Sequence, residues 1–169
     1  MNAPEIRKAL DNLGAAFAAD PAKARAKNAP ATAKLTEGLQ CEVTGPYGAR
    51  IVTDMPPAMG GAASGPNPGW FLRAALASCT STAIAMRAAR LGIKLEQLEL
   101  TVESESDARG LLGIGEVSAA LGAVRTKVKI RGDAPPEVLR ELAQWGDAHS
   151  PVGCTLRRMS DCSLDVEVG

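Results

Sequence analysis

Apolar residues recur at intervals of three and four along some stretches of the chain and at every second position along others. These two periods divide it into helices and strands. Near the N-terminus Ile6, Leu10, Leu13 and Phe17 keep close to helical spacing over residues 4–19, with Pro4 early, where a helix tolerates it. The following "AADPAKARAKNAPATAK" holds no sustained apolar stripe and reads as a tether. Two strands are expected at about 32–44 and 48–54, joined by the turn "TGPYG". "DMPPAMGGAASGPNP" is so dense in glycine and proline that it must be loop.

The stretch "NPGWFLRAALASCTSTAIAMRAARLG", residues 67–92, predicts one long helix. Asn67 suits the N-cap, Pro68 the first turn, where its missing N–H costs nothing, and Gly92 the C-cap. Leu98, Leu100 and Val102 then alternate with Glu99, Thr101 and Glu103, as in a half-buried strand. "DARGLLGIGE" turns the chain, and Val124, Thr126, Val128 and Ile130 mark a further strand. "DAPPEVLRELAQWGDAH" predicts a second helix burying Val138, Leu139, Leu142 and Trp145. "SPVGCTLRRMS" reads as an irregular or helical turn, and "DCSLDVEV" as a closing strand with Cys162, Leu164, Val166 and Val168 on one face. Hairpin-like neighbours and segregated helices place the chain in the α+β class with an antiparallel sheet, against a doubly wound parallel fold. No internal repeat is found.

Composition narrows the function classes. The 169 residues are 46% hydrophobic with only two Trp, one Tyr and two Phe, so the core is aliphatic and alanine-rich. Nineteen basic residues balance nineteen acidic ones, which argues against a nucleic-acid partner. No apolar run reaches membrane-spanning length and no secretory segment opens the chain, so a cytoplasmic location without membrane contact is expected. The four cysteines, Cys41, Cys79, Cys154 and Cys162, form no CxxC, and with one histidine, His149, no zinc cluster is expected. In a reducing compartment these thiols are either buried filler or redox chemistry.

Cys79 sits halfway along the long helix, where helical spacing aligns it with Leu72, Ala75, Leu76, Ala83 and Met86; Arg73 and Arg87 lie off that stripe. Geometry alone favours core filler, because free cysteine is among the most buried residue types. Cys162 faces the apolar side of the last strand, and nothing marks Cys41. Cys154 differs: it follows Gly153 in a turn near His149, Arg157 and Arg158, and nearby cations activate a thiol. Spacing leaves it undecided which of them points at the sulfur.

The run "PPAMGGAASGPNP" into "FLRAALASCTSTAIAMRAARLGI", the acidic strand "LEQLELTVESESDARG" and "RTKVKIRGDAPPEVLRELAQWGDAHSPVGCTL" together resemble the osmotically inducible protein C / organic hydroperoxide resistance (OsmC/Ohr) family. The resemblance covers about residues 32–169, leaving 1–31 as an N-terminal helix and tether outside the common domain. It implies an intertwined homodimer, each subunit an antiparallel sheet wrapped on two central helices, with active sites at the interface. It further implies reduction of organic hydroperoxides by a cysteine pair without a bound cofactor, an external dithiol such as a dihydrolipoyl group acting as reductant. By motif match Cys79 is the attacking cysteine, which reverses the filler reading. A thiolate there would attack the distal peroxide oxygen and leave a sulfenic acid, and a second thiol would condense with it to a disulfide. Small neighbours such as Ala75, Ser78 and Ala83 would leave room for the alkyl part of a substrate.

The chain departs from the family pattern twice. The family's second cysteine precedes a proline; here that position is Ser150 and the nearest thiol is Cys154, four residues on and one helical turn away. The family also carries a glutamate after Asn-Pro that orients an arginine of the N-terminal hairpin toward the thiolate. This chain has Gly69 there, and Arg50 is the nearest candidate cation, with Arg73 and Arg109 as others. The leading expectation is a thiol peroxidase using Cys79, Cys154 and Arg50. The alternative is a non-catalytic member holding a small lipophilic ligand in the interface pocket. A cysteine hydrolase with His149 as base stands behind both, since no orienting Asp or Asn is identifiable.

Overall fold

In the computed structural model, residues 2–158 and 162–169 are described. The chain runs through α1 (Ala3–Ala19), β1 (Thr32–Glu37), β2 (Gln40–Thr44), β3 (Arg50–Thr53), α2 (Pro68–Leu91) and β4 (Leu95–Glu105). A single-turn α3 (Ala108–Leu111), β5 (Gly122–Gly132), α4 (Pro136–Ala148) and α5 (Pro151–Arg157) follow. The α+β class is as expected. The chain divides into two compact units: one gathers the start of the chain, Leu76–Thr101 and Lys127–Gly169, the other Lys8–Ala75 and Val102–Thr126.

In the second of these, β1, β2 and β3 form an antiparallel sheet in that order, with Leu35 opposite Cys41 and Cys41 opposite Thr53. The stretch 32–44 expected as one strand is therefore a hairpin. Gly38 adopts a left-handed φ of 55°, which ends an extended strand, and the Thr36 hydroxyl donates to Gln40 Oε1 at 2.8 Å across the turn. At the end of β3 the buried Asp54 carboxylate accepts from the amides of Ala62 (3.1 Å) and Ser64 (3.0 Å) and from the Ser64 hydroxyl (2.8 Å). These bonds fold the Gly/Pro-rich loop back onto the strand. The hydrogen bonds from Ser64, above all, hold the Asp54 carboxyl below the usual carboxylate range, against its desolvation.

The long helix starts and stops as its sequence dictates. Asn67 Oδ1 accepts from the Trp70 amide at 2.9 Å. At the other end Gly92 takes φ 76°, its amide donating to Ala89 O (3.2 Å) and that of Ile93 to Ala88 O (2.9 Å). In the first unit Ile84, Ala88, Leu139 and Leu142 make the buried core, onto which Leu95, Leu98 and Leu100 of β4 and Val128 and Ile130 of β5 pack. β4 and β5 pair as a two-stranded ladder. Its antiparallel sense shows in the cross-strand pairs: Lys129 meets Glu99 (3.2 Å) and Arg125 meets Glu105 (3.3 Å), one number rising as the other falls.

The closing strand is not formed. Residues 162–169 carry no regular structure, and Leu164, Val166 and Val168 are 85%, 70% and 91% exposed; Asp161 lies outside the described residues. Alternation makes a segment ready for a strand, but a strand exists only where an edge supplies its hydrogen bonds. No helix among the described residues is long and apolar enough to cross a membrane.

Candidate active site

The buried stripe of α2 runs through Leu76, Thr80, Ile84 and Ala88, each four residues from the next. Cys79 falls one position off that stripe and is only half-buried. Its own row, with Ser78, Thr82, Ala83 and Met86, forms a wall that the core does not cover. The filler reading of Cys79 fails for this reason: of the residues aligned with it, Leu72, Ala75, Leu76, Ala83 and Met86, only Leu76 is buried, while Ala83 and Met86 share its open row. The core takes the Leu76, Thr80, Ile84 and Ala88 row together with Ala89, and the neighbouring row is left open.

The opposite wall comes from α4 and α5. Gly146 lets α4 approach α2 closely: a Cβ there would meet Ile84 Cγ1 well inside contact distance and lie 3.0 Å from the Ile84 amide nitrogen. That approach sets Trp145 and His149, one turn apart, beside the Cys79 row. With Pro151 they complete a largely apolar groove of about 410 Å³. The His149 ring stacks on the Trp145 indole, centroids 3.9 Å apart and planes 11° apart. Arg87 of α2 places its guanidinium 4.9 Å from the centre of the indole ring. His149 Nδ1 lies 2.8 Å from the Trp145 carbonyl. A carbonyl only accepts, so Nδ1 carries the hydrogen, and in the neutral ring Nε2 holds the free lone pair.

The "SPVGCTLRR" segment is helical after all. Ser150, fully buried, caps α5 by accepting from the Gly153 amide at 3.2 Å. Cys154, half-buried, donates its thiol to the Ala148 carbonyl at 3.2 Å. Of the cations flanking it in sequence, Arg157 is the one that reaches it, one turn further on. Burial would lower the Arg157 pKa, but hydrogen bonds and charge attraction from Asp147 and then Cys154 outweigh it and leave the guanidinium raised. Arg157 also grips Asp147 Oδ2 at 3.1 Å. Cys154 is not among the residues lining the Cys79 groove.

The other candidates lie in the unit that holds the three-stranded sheet. Arg50 donates its Nε to Glu42 Oε2 at 2.7 Å across the β2–β3 pair, and that hydrogen bond and charge raise its pKa. Arg109 closes on Asp107 and Arg73 donates to the Ser104 hydroxyl at 3.0 Å. Cys41 sits half-buried in β2 and Cys162 is exposed; all four cysteines are free thiols. Among the described residues no three His, Cys, Asp or Glu side chains gather as a metal site. The sequence reading missed Trp145 and Met86 as groove walls and Arg87 as the cation stacked on the indole. The available signal was the i, i+4 spacing of Trp145 and His149 around a helical glycine.

A family model described as OsmC-like protein matches residues 61–165. Among solved structures, an organic hydroperoxide resistance protein OsmC from Legionella pneumophila is similar at 25% identity and a TM-score of 0.62, covering 79% of this chain and 91% of that one. An OsmC-like protein from Mycoplasma pneumoniae reaches a TM-score of 0.68 at 19% identity, covering 80% and 91%. The organic hydroperoxide resistance protein OhrB of Bacillus subtilis reaches 0.52 at 20%, covering 78% and 91%. The last two likenesses show the fold alone. No curated protein matches the sequence.

Proposed function

The chain belongs to the OsmC-like protein family, and from that premise we propose that it is a thiol-dependent peroxidase reducing organic hydroperoxides to alcohols in oxidative-stress defence. The observation that carries this reading is the half-buried Cys79 thiol opening into an apolar groove of about 410 Å³, large enough for a greasy peroxide. The name of the Legionella pneumophila neighbour points the same way.

In this reading the Cys79 thiolate attacks the distal oxygen of the peroxide. The O–O bond breaks, an alcohol departs, and sulfur, oxidised by two electrons, is left as a sulfenic acid. The Cys154 thiol condenses with it, releasing water and forming a disulfide, which an external dithiol reduces by exchange. Arg157 beside Cys154 supplies the positive charge such sulfur chemistry uses, and Arg50, held by Glu42 within its own unit, remains the candidate cation that the family pattern suggests. A homodimer completes the proposal, the exposed row of α2 and the undocked segment 162–169 being surfaces a second copy would cover.

The second reading, a non-catalytic protein holding a small lipophilic ligand, is favoured by Gly69 and by Ser150, which put neither a carboxylate nor a thiol where the family pattern has them. One experiment separates the two. Reduced protein is mixed with cumene hydroperoxide and free thiols are counted. The peroxidase predicts loss of two thiols, blocked in Cys79→Ser and diverted to overoxidised Cys79 in Cys154→Ser. Loss of a single thiol in the wild type removes Cys154 from the mechanism, and no loss at all leaves the binder.

A further inference from the structure

A cation stabilises an ionised sulfur but cannot accept its proton: an arginine guanidinium never deprotonates in a protein. The proposed attack on a peroxide needs both an acceptor for the thiol proton and a donor for the departing alkoxide. Among the described residues lining the groove, Cys79 and His149 are the two with ionisable side chains, and they come from facing helices. The ring of His149 is held on both counts that matter for proton transfer. Stacking on Trp145 fixes its plane, and the Nδ1–H bond to the Trp145 carbonyl fixes its tautomer. Nε2 is left as the basic atom. Among the described residues, Arg87 lies on the α2 side against the indole that His149 stacks on, and Asp147, two residues before His149 in sequence, is tied to Arg157.

Resting on the peroxidase reading of the same groove, we infer that His149 is the acid–base partner of Cys79, with Trp145 as its positioning residue. Nε2 takes the thiol proton, leaving thiolate and imidazolium. The thiolate electron pair forms the S–O bond to the distal oxygen of the hydroperoxide, and the O–O pair leaves on the alkoxide. The imidazolium returns its proton to that alkoxide, giving the alcohol, the sulfenic acid and neutral histidine. No reactant beyond the thiol and the peroxide is consumed.

The test reads the thiol without relying on turnover. The rate of iodoacetamide labelling of Cys79 is followed by mass spectrometry of its peptide from pH 5 to pH 9, in wild type, His149→Gln, and His149→Ala with added imidazole. His149 is an exposed cap residue, so these changes leave the helix core intact. The expected result is a two-step pH profile in wild type that collapses to one step in His149→Gln, with labelling at pH 7 slowed about tenfold or more. Free imidazole restores part of the rate in His149→Ala. An unchanged rate and profile in His149→Gln overturns the pairing. If peroxide still consumes thiols in that case, the peroxidase reading survives without it. If labelling depends on His149 while cumene hydroperoxide consumes no thiol, the pair stands and the peroxidase reading falls.

Discussion

Gly146→Ala is the sharpest probe of how the groove is built. Two effects oppose each other. Alanine is favoured over glycine in a helix interior by about 1 kcal/mol. Against that, the new methyl would lie 3.0 Å from the Ile84 nitrogen and 3.1 Å from its Cα, with Cγ1 closer still. Ordinary carbon contacts need about 3.5–4.0 Å, and the obstructing atoms include backbone that no rotamer change can move. The helices must part by roughly half to one ångström, loosening Ile84 from Leu142 in the core. Overpacking of this kind costs about 1–3 kcal/mol, and with rigid backbone as the obstacle the upper part of that range applies. The net expectation is about 2 kcal/mol lost. In urea, where m is about 1–3 kcal/mol per molar for small proteins, the midpoint falls by about 1 M with m unchanged. Gly14→Ala in α1, where a Cβ meets nothing within 4 Å, is the control and gains stability by up to about 1 kcal/mol. Because Trp145 and His149 ride on α4, iodoacetamide labelling of Cys79 changes in Gly146→Ala and not in Gly14→Ala. A Gly146→Ala protein as stable as wild type would falsify the close-packing argument.

Two further substitutions test separate features. Asp54→Asn puts an amide NH₂ where one carboxylate oxygen accepts backbone or Ser64 donors, so melting temperature at pH 7 falls and the 55–65 loop gains proteolytic sensitivity. Since the native Asp54 pKa is lowered, its contribution is full above the unfolded value near 4 and disappears as pH drops through the native one. The melting curves of wild type and Asp54→Asn therefore converge in acid, and a constant gap down to pH 2 contradicts the assignment. Thr80→Val removes a fully buried hydroxyl with no hydrogen-bond partner among the described residues. The isosteric change raises stability by about 1 kcal/mol in denaturant titration; a loss of that size would mean the hydroxyl has a partner.

Local signals carried much of the fold. Asn67, Pro68 and Gly92 bounded α2 because capping is decided by residues within one turn, and the Leu/Glu alternation of β4 needed only its own period. The hairpin inside 32–44 was hidden because Gly38 fixes a left-handed turn only once Thr36 and Gln40 meet across it. Alternation in "DCSLDVEV" described a strand's side chains but not the edge it requires.

For the site, the order of residues was enough to establish that a cysteine stands mid-helix, that the chain carries the family's motifs, and that Ser150 and Gly69 replace two of its usual residues. Packing settled which row of α2 the core consumes. It also settled that a missing side chain at Gly146 lets α4 bring Trp145 and His149 to the open row, and that Arg157 rather than Arg158 or His149 reaches Cys154. Helical periodicity names the residues sharing a face, but which face is buried depends on the partner helix, and that partner lies roughly sixty residues away in the chain.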